Sequence, residues 1–126
     1  MFKILIVDDN AAFRQSLIEI LCADYTNTII AESADAADAI DKVNKFEPDL
    51  VFMDINLPDG NGLSLTKDIK LDHSNITIFV ITSHDIPEYH QAAFQLGASY
   101  FMSKDALSIN EIRTVVEKVS SHLYLH

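Results

Sequence analysis

Tryptophan is absent from this chain, cysteine occurs once, and glycine and proline occur three times each among 126 residues. The lone Cys22 cannot close an internal disulfide, which excludes a disulfide-stapled secreted domain and fits a reducing cytosol. Cys22 itself reads as a small apolar residue. No linker, repeat or low-complexity tract divides the chain. Basic residues are scarce too: 9 Lys and Arg stand against 19 Asp and Glu, giving a formal charge of −10. Phosphate backbones are bound by Lys and Arg that displace counterions, so direct contact with DNA or RNA is not expected. Long apolar runs are also missing. Ile4-Leu5-Ile6-Val7 ends at Asp8-Asp9, too short for a signal-peptide core or a membrane span, and a soluble, cytoplasmic protein is expected.

What is present suffices for a core. With 48% hydrophobic and 22% charged residues the composition is that of a globular domain, and the length allows one, residues 1–126, with no output domain attached. Ile4 to Val7 is continuously apolar and β-branched, the pattern of a strand buried on both faces. Phe13, Leu17, Ile20 and Leu21 then recur at helical spacing from Ala11 to Cys22, with Asn10 placed as an N-cap. The alternation repeats. Thr28 to Ala31 predicts a strand, and Ala34 to Asn44 a helix with the stripe Ala36, Ile40 and Val43. Leu50 to Met53 predicts a third strand, and Leu63 to Lys70 a helix entered through Pro58-Asp59-Gly60-Asn61-Gly62. A strand over Ile76 to Ile81 is followed by a helix from Pro87 to Leu96, ended by Gly97. Tyr100 to Met102 predicts the last strand. The final helix, Asn110 to Leu123, puts Ile112, Val115, Val116, Val119 and Leu123 on one face.

Strand-then-helix units joined by right-handed crossovers build an α/β fold, a doubly wound parallel sheet covered on both faces. The economical strand order is flavodoxin-like, 2-1-3-4-5. Ligands of such sheets bind outside the carboxyl ends of the strands, where the order reverses.

Those ends carry chemistry. Strand 1 ends in Asp8-Asp9, strand 3 in Asp54 and strand 4 in Thr82, while strand 5 leads to Lys104. Crowded carboxylates repel one another unless a cation neutralises them. An all-oxygen set without His or Cys points to Mg²⁺, held by carboxylates and a phosphate. Phosphoryl transfer requires a nucleophile, a cation and positioned donors. Asp54 can form an acyl phosphate, Asp8 and Asp9 can hold the metal, and the backbone carbonyl of Asn56 can join them. Thr82 and Lys104 are placed to contact phosphate oxygens.

The sequence closely resembles the receiver domain of two-component response regulators. The matching motifs are Leu5-Ile6-Val7-Asp8-Asp9, Met53-Asp54-Ile55-Asn56-Leu57-Pro58, Gly62, Val80-Ile81-Thr82-Ser83, Gly97-Ala98-Ser99 and Lys104, and they cover essentially the whole chain. The resemblance implies that a histidine kinase or histidine phosphotransfer protein donates a phosphoryl group to Asp54 in a Mg²⁺-dependent reaction, and that hydrolysis resets the domain. It implies a regulator that assists only its own phosphorylation and dephosphorylation, signalling to an output domain or downstream protein and able to form a homodimer when phosphorylated. Phe101 stands where the family has a switch aromatic, commonly Tyr, that turns inward when Thr82 moves to the phosphoryl group. Lys104 is followed by Asp105 where Pro is frequent, as in receivers that precede helix-turn-helix modules. Asn56 and His84 occupy positions that tune dephosphorylation in the family.

Other readings are weaker. A haloacid-dehalogenase-type phosphatase needs its nucleophile in an Asp-x-Asp pattern after strand 1 and a cap insertion, against Asp8-Asp9-Asn10 and the short chain. A flavin-binding module lacks its phosphate loop, and a phosphorylation-independent binding module would not need the full acidic set. His73, His84, His90, His122 and His126 show no metal-ligand spacing and read as surface residues.

Overall fold

The computed structural model describes residues 1–24 and 27–124. His126 lies outside the described residues, as do the side chains of His122 and Leu123. The elements follow in the order β1 (Phe2–Val7), α1 (Ala11–Asp24), β2 (Thr28–Ser33), α2 (Ala36–Phe46), β3 (Leu50–Met53), β4 (Asn56–Leu57), β5 (Gly60–Asn61), α3 (Gly62–Asp72), β6 (Thr77–Thr82), α4 (Pro87–Gln95), β7 (Tyr100–Ser103), a single 3₁₀ turn (Lys104–Ala106) and α5 (Ile109–Tyr124). Five strands pair in the order β2-β1-β3-β6-β7, all parallel, and β4 with β5 forms a separate antiparallel hairpin. Apart from that hairpin, the sheet has the order 2-1-3-4-5 anticipated from the sequence.

Strand periodicity divides the core. Leu5, Val7, Val51, Met53, Ile78 and Val80 face one way, onto Ala39 and Val43 of α2, Leu65 and Ile69 of α3, and Ala93 of α4. Ile4, Ile6, Leu50, Phe52, Phe79 and Ile81 face the other way, onto Leu17 and Leu21 of α1 and Ile112, Val115 and Val116 of α5. A fully buried aliphatic side chain contributes about 1.5–3 kcal/mol, so the continuously apolar strand runs follow from having two buried faces. The predicted boundaries hold where local chemistry is strong. Asn10 Oδ1 accepts from the Phe13 N–H at 3.1 Å, Pro87 opens α4, and Gly97 has a φ of 114°.

Two expectations, both in α2, are corrected, and two further features had no announcement in the sequence. In α2 the buried positions are Ala39 and Val43, whereas Ile40 is 45% exposed. The helix starts at Ala36 because Asp35 caps it, its side chain accepting from the Asp38 N–H at 2.8 Å. The chain between Asp54 and α3 pairs with itself as a hairpin, a feature without hydrophobic periodicity to announce it. Finally, Cys22 is exposed.

Candidate functional site at the strand ends

The parallel register brings the acids together. Asp8 follows the last residue of β1 and donates its N–H to Ser33 O at 3.0 Å, while Asp54 follows β3 and donates to Val7 O at 2.9 Å. Both side chains are buried, at 2% and 6% exposure, and Asp9 beside them is exposed. One carboxylate oxygen from each of Asp8, Asp9 and Asp54 lies within 4.8 Å of the others. Lys104, carried in by the 3₁₀ turn after β7, places Nζ 2.7 Å from Asp8 Oδ2 and 3.4 Å from Asp54 Oδ2. The same ammonium lies 4.4 Å from the centre of the Phe13 ring, a cation–π contact that orients it.

One lysine does not balance this charge. Burial pushes the Asp8 carboxyl above the usual carboxylate range and Asp54 adds to that, outweighing the Lys104 ammonium and the Asn10 N–H. For Lys104 itself burial favours the neutral amine, but Asp8 and Asp54 outweigh it and hold the ammonium more firmly charged than usual. Oδ1 of Asp8 accepts from the Asn10 N–H at 2.9 Å, and Oδ1 of Asp54 from the Ile55 N–H at 2.8 Å. Lys104 gives its hydrogen bond to Asp54. It also pairs with Asp8 Oδ2 at 2.7 Å, so a single ammonium is shared between two buried carboxylates. Three converging carboxylates that share one ammonium are a donor set suited to a hard divalent cation.

The remaining predicted residues lie at or after neighbouring strand ends and have other hydrogen-bond and packing partners. Thr82 is fully buried at the end of β6, and its Oγ1 accepts from the His84 N–H at 3.2 Å, which leaves the hydroxyl proton to be donated elsewhere. Asn56 Nδ2 lies 2.9 Å and 3.1 Å from the two ring nitrogens of His84. Phe101 is half-buried, opposite Val80 in the register and packed against the α2–α3–α4 side of the core. Its ring centre is 3.8 Å from that of His90, and His90 pairs with Asp85. The sequence reads His90 only as a surface residue, because a contact between helix and strand leaves no local spacing.

Gly62 has a function beyond turn geometry. It donates its N–H to Ile55 O at 2.7 Å, and a Cβ there would stand 1.9 Å from Asp54 O. Only glycine lets the backbone come this close behind Asp54.

The family model for the response regulator receiver domain matches residues 4–117. The chain belongs to that family. It is a receiver domain of the two-component response regulators, a phosphoacceptor signalling module. Among curated relatives it is 29% identical over 124 residues to the transcriptional regulatory protein DegU of Brevibacillus brevis, covering 98% of this chain and 52% of that protein. It is 31% identical to the DNA-binding transcriptional activator DevR/DosR of Mycobacterium tuberculosis, over 91% of this chain and 53% of the relative. This receiver thus spans about half the length of those two relatives. Sporulation initiation phosphotransferase F of Bacillus subtilis is matched at 34% identity over 92% of this chain and 91% of its own length. Among solved structures, a CheY-like receiver domain protein from Methanospirillum hungatei shares the fold with a TM-score of 0.88 at 22% identity, covering 100% of this chain and 99% of that one. A LuxR-family two-component response regulator from Aurantimonas superposes with a TM-score of 0.85 at 27% identity, over 95% of this chain and 85% of its own. Among the described residues of the receiver, no helix is long and apolar enough to cross a membrane.

Proposed function

We propose that Asp54 is the phosphoacceptor, and that Asp8, Asp9, Asp54 and the Asn56 carbonyl hold the Mg²⁺ on which the transfer depends. The carrying observation is the convergence of three carboxylates, one oxygen from each within 4.8 Å of the others, with a single ammonium shared between the two buried ones. The bound cation would supply positive charge against that of the incoming phosphoryl oxygens.

The chain's residues do the rest. An oxygen of Asp54 attacks phosphorus, the P–N bond of a phosphohistidine breaks, and the electron pair returns to the donor imidazole. Ile55 N–H and Lys104 hold the carboxylate in place beforehand, which lowers the entropic cost of alignment. Lys104 is drawn from its two carboxylates towards the new phosphoryl oxygens, and Thr82 turns its free hydroxyl proton to another. The inward shift of Thr82 makes room for Phe101, which then leaves His90 and alters the surface of α4, β7 and α5. His84 and Asn56 lie together beside the acids and set the access of hydrolytic water.

The donor is a histidine kinase or a histidine phosphotransfer protein, and the recipient of the signal is an output domain or a downstream protein. With a net charge of −10, the domain reads no nucleic acid itself. Intact-mass spectrometry after incubation with Mg²⁺ and acetyl phosphate tests the reading. One hydroxylamine-labile phosphoryl adduct is expected, absent with EDTA and absent in Asp54→Asn. Neither an adduct nor stabilisation by beryllofluoride with Mg²⁺ would leave a phosphorylation-independent binding module.

A further inference from the structure

The hairpin that carries Asn56 is tied down at both ends. At one end Asn61 caps α3, its side chain accepting from the Leu63 N–H at 2.7 Å, and Gly62 closes against Ile55. At the tip, Asp59 reaches across to the start of α2, where Oδ1 accepts from the Ala36 N–H at 2.6 Å and Oδ2 from the Ala37 N–H at 3.0 Å. Asp35 accepts the next N–H, that of Asp38. The free donors of this first helical turn are therefore shared between two acids, one local and one delivered from the hairpin. The approach is close, since a Cβ on Gly60 would lie 3.3 Å from Ala36 Cβ.

We infer that Asp59 is a positioning residue for the cation site: by clasping the start of α2 it fixes the hairpin and so presents Asn56 to the metal held by Asp8, Asp9 and Asp54. The inference rests on the cation reading above. A two-residue ladder is too short to hold its own geometry in water, and with a single clamp at Asn61–Gly62 the hairpin would pivot there. The second clamp removes that freedom before the cation arrives. Partners that orient a metal's ligands without touching the metal have large effects on affinity. Helix capping alone does not account for the arrangement, because Asp35 already caps α2.

Titrating the full chain with MgCl₂ and following amide shifts by NMR separates positioning from stability. Asp59→Ala is expected to weaken Mg²⁺ binding by on the order of tenfold, with Asp59→Asn, which keeps one acceptor oxygen, between it and the unaltered chain. Asp35→Ala removes a cap from the same helix without touching the hairpin. It is expected to lower the melting temperature while leaving the Mg²⁺ affinity unchanged. An unaltered affinity in Asp59→Ala overturns the inference. Equal weakening in Asp35→Ala overturns it too, by showing that any loss at α2 has the same effect. If the unaltered chain shows no Mg²⁺ response, the cation reading fails and this inference fails with it.

Discussion

Two groups of aspartates in this receiver sit in opposite electrostatic situations. At the strand ends, Asp8 and Asp54 are buried around one lysine, and burial pushes the Asp8 carboxyl upward. At the start of α2, Asp38 is held below the usual carboxylate range by Lys42 and Ser33, and Asp59 by the N–H groups of Ala36 and Ala37. The second group satisfies the fold's own donors. In the first group Asp8 is held against the cost of its own burial, with repulsion from Asp54 added, the kind of environment that gathers where charged ligands are bound. The lesson is that the buried, crowded acids mark the candidate site and the exposed, satisfied acids build the scaffold that holds it.

The contrast can be broken most severely at Lys104. Replacing it with alanine removes the charge that faces both buried carboxylates, and such a loss costs about 3 kcal/mol. Urea unfolding in EDTA should show that loss, and Mg²⁺ should recover much of it by mass action. A loss of the same size with and without Mg²⁺ would place the ion elsewhere.

Asp8→Asn sharpens the contrast by its sign. The folded-state pKa of Asp8 lies above its ordinary value of 3.8. Its ionisation therefore costs stability at neutral pH, and the cost disappears as the pH falls through the raised value. In EDTA near neutral pH the variant should melt higher, by about 4 °C for each kcal/mol gained, and the gain should vanish in acid. Asp38 behaves in reverse. Its folded-state pKa is lowered, so its contribution is complete above 3.8 and is lost as the pH falls through the lowered value. Asp38→Asn should therefore melt lower at neutral pH and converge with the unaltered chain in acid. Melting curves of both variants across that range would contradict the contrast if they moved in the same direction.

Smaller effects complete the series. Asp35→Ala should cost about 1 kcal/mol as a lost cap, read by thermal unfolding. Lys45→Ala breaks only the exposed pair with Asp41, at 3.0 Å on the outer face of α2, and should change stability by less than about 0.5 kcal/mol.

The sheet and the convergence of the candidate acids were legible in the sequence for the same reason. Strands buried on both faces must be continuously apolar, so the first polar residue to close each run, Asp8, Asp54 and Thr82, marks a strand end, and the topology brings those ends together. What was not legible depended on contacts between distant segments. The Asp59 clasp spans 22 and 23 residues of sequence, and the hairpin it holds has no apolar alternation. The phase of α2 was misread at Ile40 because Ala39, which fills the core, is the smaller residue. His90 meets Phe101 only because α4 lies over β7, a packing detail that spacing along the chain does not encode.

The site of the acyl phosphate can be read chemically. Borohydride reduces an aspartyl phosphate to homoserine, so the chain would be treated with acetyl phosphate and Mg²⁺, reduced, digested and sequenced by mass spectrometry. Homoserine at position 54, and at no other aspartate, is the expected result. Homoserine at position 8 or 9 would show that the rim accepts the phosphoryl group on a different carboxylate and would contradict the assignment of Asp54 as nucleophile.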